Sequence, residues 1–138
     1  MTERVTLSFE SQSMMKTLGA RIHKVEKGKV TIEAPLLPST LQQQVYAHVG
    51  LTFSVVDNSA GFSALTLLPE DQEVITAEIK INLLAPTDSE LLRAEGRVVK
   101  HGKRLVVVTP EIHALKDGEK ADRHHAVNDD SCSCENLK

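Results

Sequence analysis

Three consecutive polar residues, Asp57-Asn58-Ser59, interrupt the most apolar stretch of the chain, Ala47 to Leu68. Around them Phe53, Val56, Ala60, Ala64, Leu67 and Leu68 recur at three- and four-residue spacing, the period of an amphipathic helix. Asp57 lies on or beside that stripe. Short polar side chains compete for backbone hydrogen bonds, so each costs a helix roughly 0.5 kcal/mol relative to Ala. A carboxylate against an apolar surface costs more unless it is paired. One reading is a helix edge where Asp57 reaches water. The other is a site, because a positioned carboxylate takes a proton from water. The start of such a helix adds free N–H groups and a positive dipole end, which suit a developing oxyanion. Gly50 lets a substrate approach the backbone closely there.

Composition narrows the chemistry. The chain has 138 residues, enough for one domain with a sizeable core. Aromatic residues are only 3%, with no Trp, which disfavours stacking on nucleobases. The net charge of −3 gives no footprint for nucleic acid or an anionic membrane. No signal peptide or bilayer-length apolar run is present. The two cysteines, Cys132 and Cys134, form no disulfide framework, and a reducing cytoplasm is the expected location.

The remaining elements must position the helix. Residues 1–18 read as an amphipathic lead-in with Phe9, Met14, Met15 and Leu18 on one face and Gly19 as its stop. Residues 20–35 read as a hairpin turning at Gly28. After the helix, Val74 to Leu84 alternates, with Ile75, Ala77, Ile79, Ile81 and Leu83 expected against the helix. Leu92, Ala94, Gly96 and Val98 mark a second strand, and Leu105 to Val108 begins a third. One long helix followed by a strand meander predicts an α+β fold, a curved antiparallel sheet wrapped around one central helix.

Ala47-His48-Val49-Gly50, then Asp57 nine residues after the histidine, then Gly61, resembles the H-G-G…D signature of hotdog-fold acyl-CoA thioesterases. VITAEIKINLLAP (Val74 to Pro86) and LLRAEGRVVKHGKRLVVV (Leu91 to Val108) look like the next strands of the phenylacetate-pathway (PaaI-type) group within the 4HBT superfamily. The likeness spans about residues 10–118. It implies a hotdog fold, a homodimer or homotetramer with active sites at the dimer interface, an acyl-CoA substrate and no cofactor. It maps the catalytic carboxylate to Asp57 as general base or nucleophile. The oxyanion-hole amide maps to Val49, the polar residue six before the histidine to Gln42, and a Ser/Thr facing the partner's site to Thr76. His48, Gly50, Gln43 and Asn58 fall in the substrate-binding region. His48 also reads as a structural tie between loop and helix start. Two departures stand out: Val49 replaces the first Gly of the pair, and Val45 stands where Gly is usual. Retention of Asp57 argues against a non-catalytic acyl-CoA sensor, and a hotdog dehydratase would place its His and acid in a different motif. The acyl group itself is not legible.

The thioesterase domain is expected at 1–120. Residues 121–138 form an atypical polar tail, without alternation, that is expected to be disordered. The tail holds both cysteines and His124-His125, but the spacing fits no zinc pattern, so no metal is expected. The family has an apolar strand there. A composition break directly after the Asp117-Gly118 turn is what a shifted reading frame produces, and suitable codons for Ala121 to Asn136 read one base later encode an apolar run.

Overall fold

A computed structural model of the chain describes residues 1–84, 86–120, 127–128 and 132–137. Two short helices open it, α1 (Thr2–Glu10) and α2 (Ser13–Thr17). The hairpin β1 (Arg21–Glu26) and β2 (Lys29–Pro35) turns at Gly28, whose φ of 75° favours a residue without Cβ. A 3-10 turn (Pro38–Thr40) leads to the central helix α3 (Val49–Leu65). Strands β3 (Glu73–Ile79), β4 (Leu91–His101), β5 (Leu105–Lys116), β6 (Glu119–Lys120), β7 (Val127–Asn128) and β8 (Cys132–Leu137) follow. They form one antiparallel sheet in the order β1-β2-β4-β5-β8-β3, with β6 and β7 paired on β5. The expected α+β architecture, one long helix against a curved sheet, is the one observed.

The core is the inner face of that sheet pressed on α3. Val30, Ile32, Leu92, Ala94, Val106, Val108 and Ile112 are buried against Val55, Val56, Ala60 and Ala64. At the centre the helix comes very close to β4. Ser63 Oγ donates to Gly96 O at 3.0 Å and to Ser59 O at 2.6 Å, and accepts from Val30 N–H at 2.8 Å. Ser59 is therefore a packing residue, fully buried, rather than part of the site. Phe53, expected on the buried stripe, is exposed instead.

Strand β3 departs from its expected face. Ile75 and Ala77 are exposed, while Val74 and Thr76 lie on the helix side. The β3–β8 register shifts between Thr76 and Glu78, so the alternation breaks at Ala77 and Ile79 returns to the helix side. The regular strand also ends at Ile79 rather than Leu84. In the lead-in, Met15 is buried but Met14 is exposed.

Two described stretches of the polar tail pair with the sheet. Val127–Asn128 pairs with β5, and β8 lies between β5 and β3, where the family resemblance implies an apolar strand. Cys134 turns inward and is fully buried, a small apolar side chain suited to that position. Residues 121–126, 129–131 and 138, with His124 and His125 among them, lie outside the described residues. A domain ending near residue 120 and a tail of shifted reading frame remain proposals.

The outer face of the sheet carries one buried charge. Glu33, 1% exposed, accepts from Arg21 Nε at 3.0 Å and Arg93 Nε at 2.7 Å, with His23 Nδ1 at 3.2 Å. Cross-strand pairing explains the cluster, since Glu33 sits opposite Arg21 on one side and Arg93 on the other. Burial raises the Glu33 pKa, but hydrogen bonds from Arg93 and Arg21 and the positive charge of Arg93 and His23 outweigh it. The net value is below the ordinary 4.5. A carboxyl with a lowered folded pKa stabilises the fold above its unfolded pKa and loses that contribution as pH falls through the folded value. We expect urea-unfolding free energy to decline as pH drops below about 4.5. Glu33→Gln should be less stable at neutral pH and show a shallower acid decline. A variant profile parallel to the wild type's would contradict this.

Candidate active site

Asp57 sits on the open edge of α3, one turn beyond the exposed Phe53. The Thr76 hydroxyl donates to Asp57 Oδ1 at 2.6 Å. That bond exists because β3 turns Thr76, not Ile75, toward the helix. It fixes one carboxylate oxygen and leaves Oδ2 for another donor. Both residues line a cleft of about 150 Å³ with Asn58 and the apolar Phe62, Leu65 and Val74. Asn58 Nδ2 donates back to Ser54 O at 3.0 Å, while its buried Oδ1 has no donor among the described residues. Gly61 lies one turn after Asp57, and a Cβ there would meet open space.

The helix start is built by His48. It is the N-cap of α3, and its Nδ1 accepts from Gly50 N–H at 2.8 Å. Its own N–H donates to Thr40 O at 2.9 Å, which ties the preceding loop to the helix. A Cβ at Gly50 would come 3.0 Å from His48 Nδ1, so the glycine leaves room for the cap. Gly50 N–H is thereby used, and Leu51 N–H donates to His48 O at 3.0 Å. The exposed Val49 contributes the first N–H of the helix, a donor that a helix start leaves without an intrahelical acceptor.

Gln42 and Gln43 belong to the turn before the helix. Gln42 Oε1 accepts from Gln44 N–H, and its backbone N–H donates to Tyr46 O at 2.8 Å, so its side chain is folded into its own turn. Gln43 is exposed. Val45, placed where Gly was anticipated, takes φ of 70°, a left-handed conformation that costs a β-branched residue roughly 1–2 kcal/mol.

One chain thus brings Asp57, Asn58 and Thr76 together, and separately His48, Val49 and Gly50. Val49 and Asp57 are eight residues apart on one helix, about 12 Å along its axis. Within one chain the two groups are therefore too far apart to act on one carbonyl. Within the single chain Thr76 bonds to Asp57, and its expected place facing a partner's site stays a proposal. The sequence reading missed Ser8, Gln12 and Glu73, which close the cleft from α1, the α1–α2 junction and β3. Their approach depends on how α1 packs, and no local motif announces it. Among the described residues no group of three or more His, Cys, Asp or Glu could hold a metal ion, and no helix is long and apolar enough to cross a membrane.

Comparison with known proteins places this geometry in a family. A thioesterase family protein from Silicibacter pomeroyi has the same fold, with a TM-score of 0.91 and 33% identity over 99% of this chain and 97% of its own. The PaaI protein of the E. coli phenylacetic acid degradation operon superposes with a TM-score of 0.80 at 18% identity, covering 96% of this chain and 89% of its own, a likeness of fold. A 1,4-dihydroxy-2-naphthoyl-CoA hydrolase of Listeria monocytogenes is 28% identical over 68% of this chain and 76% of its own. The thioesterase superfamily (4HBT) matches residues 45–121, from the turn before α3 to the end of β6. That match covers more than half of the sequence and contains α3, Asp57 and Thr76, and the chain belongs to the thioesterase superfamily, a family of thioester hydrolases.

Proposed function

We propose that this protein hydrolyses an acyl-CoA thioester to the free acid and CoA, with Asp57 as the general base. The observation that carries this reading is the 2.6 Å hydrogen bond from Thr76 to Asp57 Oδ1 beside a partly apolar cleft. Thr76 orients the carboxylate so that Oδ2 takes a proton from water. The water oxygen bonds to the thioester carbonyl carbon, and the carbonyl oxygen becomes an oxyanion. The C–S bond then breaks, CoA leaves as its thiolate, and the proton held by Asp57 returns to the products. The CoA part of the substrate is supported by the Listeria relative's name.

The oxyanion needs donors near Asp57, and the Val49 N–H of the same chain is about 12 Å away. A second copy supplies the missing half. Strand β3 ends the sheet, so its outer edge is available for pairing with another β3. Antiparallel pairing there sets the helix start of one copy against the Asp57 cleft of the other. The working unit in this reading is a homodimer, alone or paired into a tetramer, in the cytoplasm. Gln42, Gln43, His48 and Gly50 then border the CoA side of the composite site.

The test is turnover of a panel of acyl-CoAs followed by thiol release. Saturable hydrolysis supports the reading. Saturable binding without any hydrolysis by the wild-type protein would replace it with an acyl-CoA sensor.

A further inference from the structure

We propose that Gln12 sets the length of the acyl group this site accepts, by standing between the Asp57 cleft and a second cavity lined by the N-terminal helices. The inference rests on the reading of the Asp57 cleft as the acyl site. Gln12 lines that cleft, of about 150 Å³. It also lines a second cavity of about 380 Å³ together with Phe9, Glu10, Lys16 and Ala20. Gln12 therefore stands at the junction of the two spaces. Gln12 occupies the break between α1 and α2, in an extended conformation with ψ of 104°. Its side-chain amide makes no hydrogen bond among the described residues, so no polar network anchors it.

The surroundings of Gln12 are firmly held. Arg4 Nη1 donates to Leu68 O at 3.1 Å and Pro69 O at 3.0 Å, and Arg4 Nη2 donates to Gln72 O. These bonds fasten α1 to the connection between α3 and β3. The buried Phe9 packs on Phe62 with ring centroids 5.9 Å apart, and Phe62 itself lines the cleft. Phe9 and Phe62 are buried core residues, whereas Gln12 is only partly buried, so it is the bordering side chain that a substitution can shorten without opening the core.

Size decides the consequence. A cavity of about 150 Å³ holds a group the size of benzene. A benzoyl group or a short aliphatic acyl therefore fits the cleft as it stands, and a decanoyl chain overfills it. Truncating Gln12 at Cβ joins the cleft to the larger cavity, whose Phe9 and Ala20 offer apolar contact to a longer chain.

The experiment compares kcat/KM for benzoyl-CoA and decanoyl-CoA. The wild-type protein should favour benzoyl-CoA. Gln12→Ala should raise the decanoyl-to-benzoyl ratio about tenfold or more, within the range that added methylene contacts supply. Gln12→Ser should do the same, and Gln12→Leu, which keeps the side chain's length, should retain the wild-type ratio. A ratio within about twofold of wild type in both short-side-chain variants overturns the inference, as does an equal rise with Gln12→Leu. Asp57→Asn in the same assays separates the two levels. If it hydrolyses both thioesters at the wild-type rate, Asp57 is not the base and the reading of its cleft as the acyl site fails. If it is inactive while Gln12→Ala keeps the wild-type ratio, only the role of Gln12 fails.

Discussion

Asp57→Asn should lower kcat by about 10²–10⁴ while leaving the thermal unfolding midpoint unchanged. The asparagine retains the shape of the carboxylate and still accepts the Thr76 hydroxyl on Oδ1. What it loses is the second oxygen as a proton acceptor, because an amide NH₂ donates and cannot take a proton from water. The change falls on the open edge of α3 and removes no core packing, so the fold should tolerate it. Steady-state hydrolysis of one acyl-CoA by both proteins, with matched melting curves, reads the effect. Activity within a few-fold of wild type would remove Asp57 from the role of base.

Gly96→Ala should have the largest effect on stability, about 3 kcal/mol or more. A Cβ at Gly96 would stand 2.4 Å from Ser59 O and 2.6 Å from Ser63 Oγ. The first of these is helix backbone and cannot rotate away. Either α3 lifts from β4 or β4 buckles. In both cases Val30 N–H and Gly96 O lose the Ser63 hydroxyl that now serves them. Asp57 lies two residues before Ser59, so a displaced helix also disturbs its bond with Thr76. Urea unfolding should show a large drop in midpoint, from a total stability of roughly 5–15 kcal/mol for a domain. Gly61→Ala is the informative contrast, because it adds the same methyl into open space on the same helix. It should gain helix propensity rather than lose packing. Equal destabilisation by both variants would show that the close approach at Gly96 is not the cause.

Much of the arrangement was legible because it is periodic or carries a special residue. The length of α3, the hairpin at Gly28 and the inner face of Leu92, Ala94, Gly96 and Val98 all follow from local pattern. So does the singular position of Asp57, the one acid in the apolar stretch. The face of β3 was not legible, because a single irregularity at Ala77 changes which residues meet the helix. That irregularity decides whether Thr76 reaches Asp57. Ser59 read as part of a polar anomaly around Asp57, yet it belongs to the contact with Gly96, which only the helix–sheet distance reveals. Gln12 carried no signal, since nothing local places residue 12 beside residue 57. Strand β8 could not be anticipated from a polar sequence without alternation. Its place follows from pairing with β5 and β3.

The composite site can be tested most directly by mixing two inactive variants. Val49→Pro removes the first N–H of α3, and proline is well tolerated at a first helical position. Asp57→Asn removes the base. Each homodimer should be nearly inactive. In a mixed dimer, one of the two sites combines the intact Asp57 of one chain with the intact Val49 N–H of the other. Co-refolding equal amounts should therefore restore about a quarter of the wild-type rate, since about half of randomly paired dimers are mixed and each has one intact site. Recovery near that level is the result the account predicts. No recovery, from variants that fold and associate as the wild type does, would contradict a site shared between two copies.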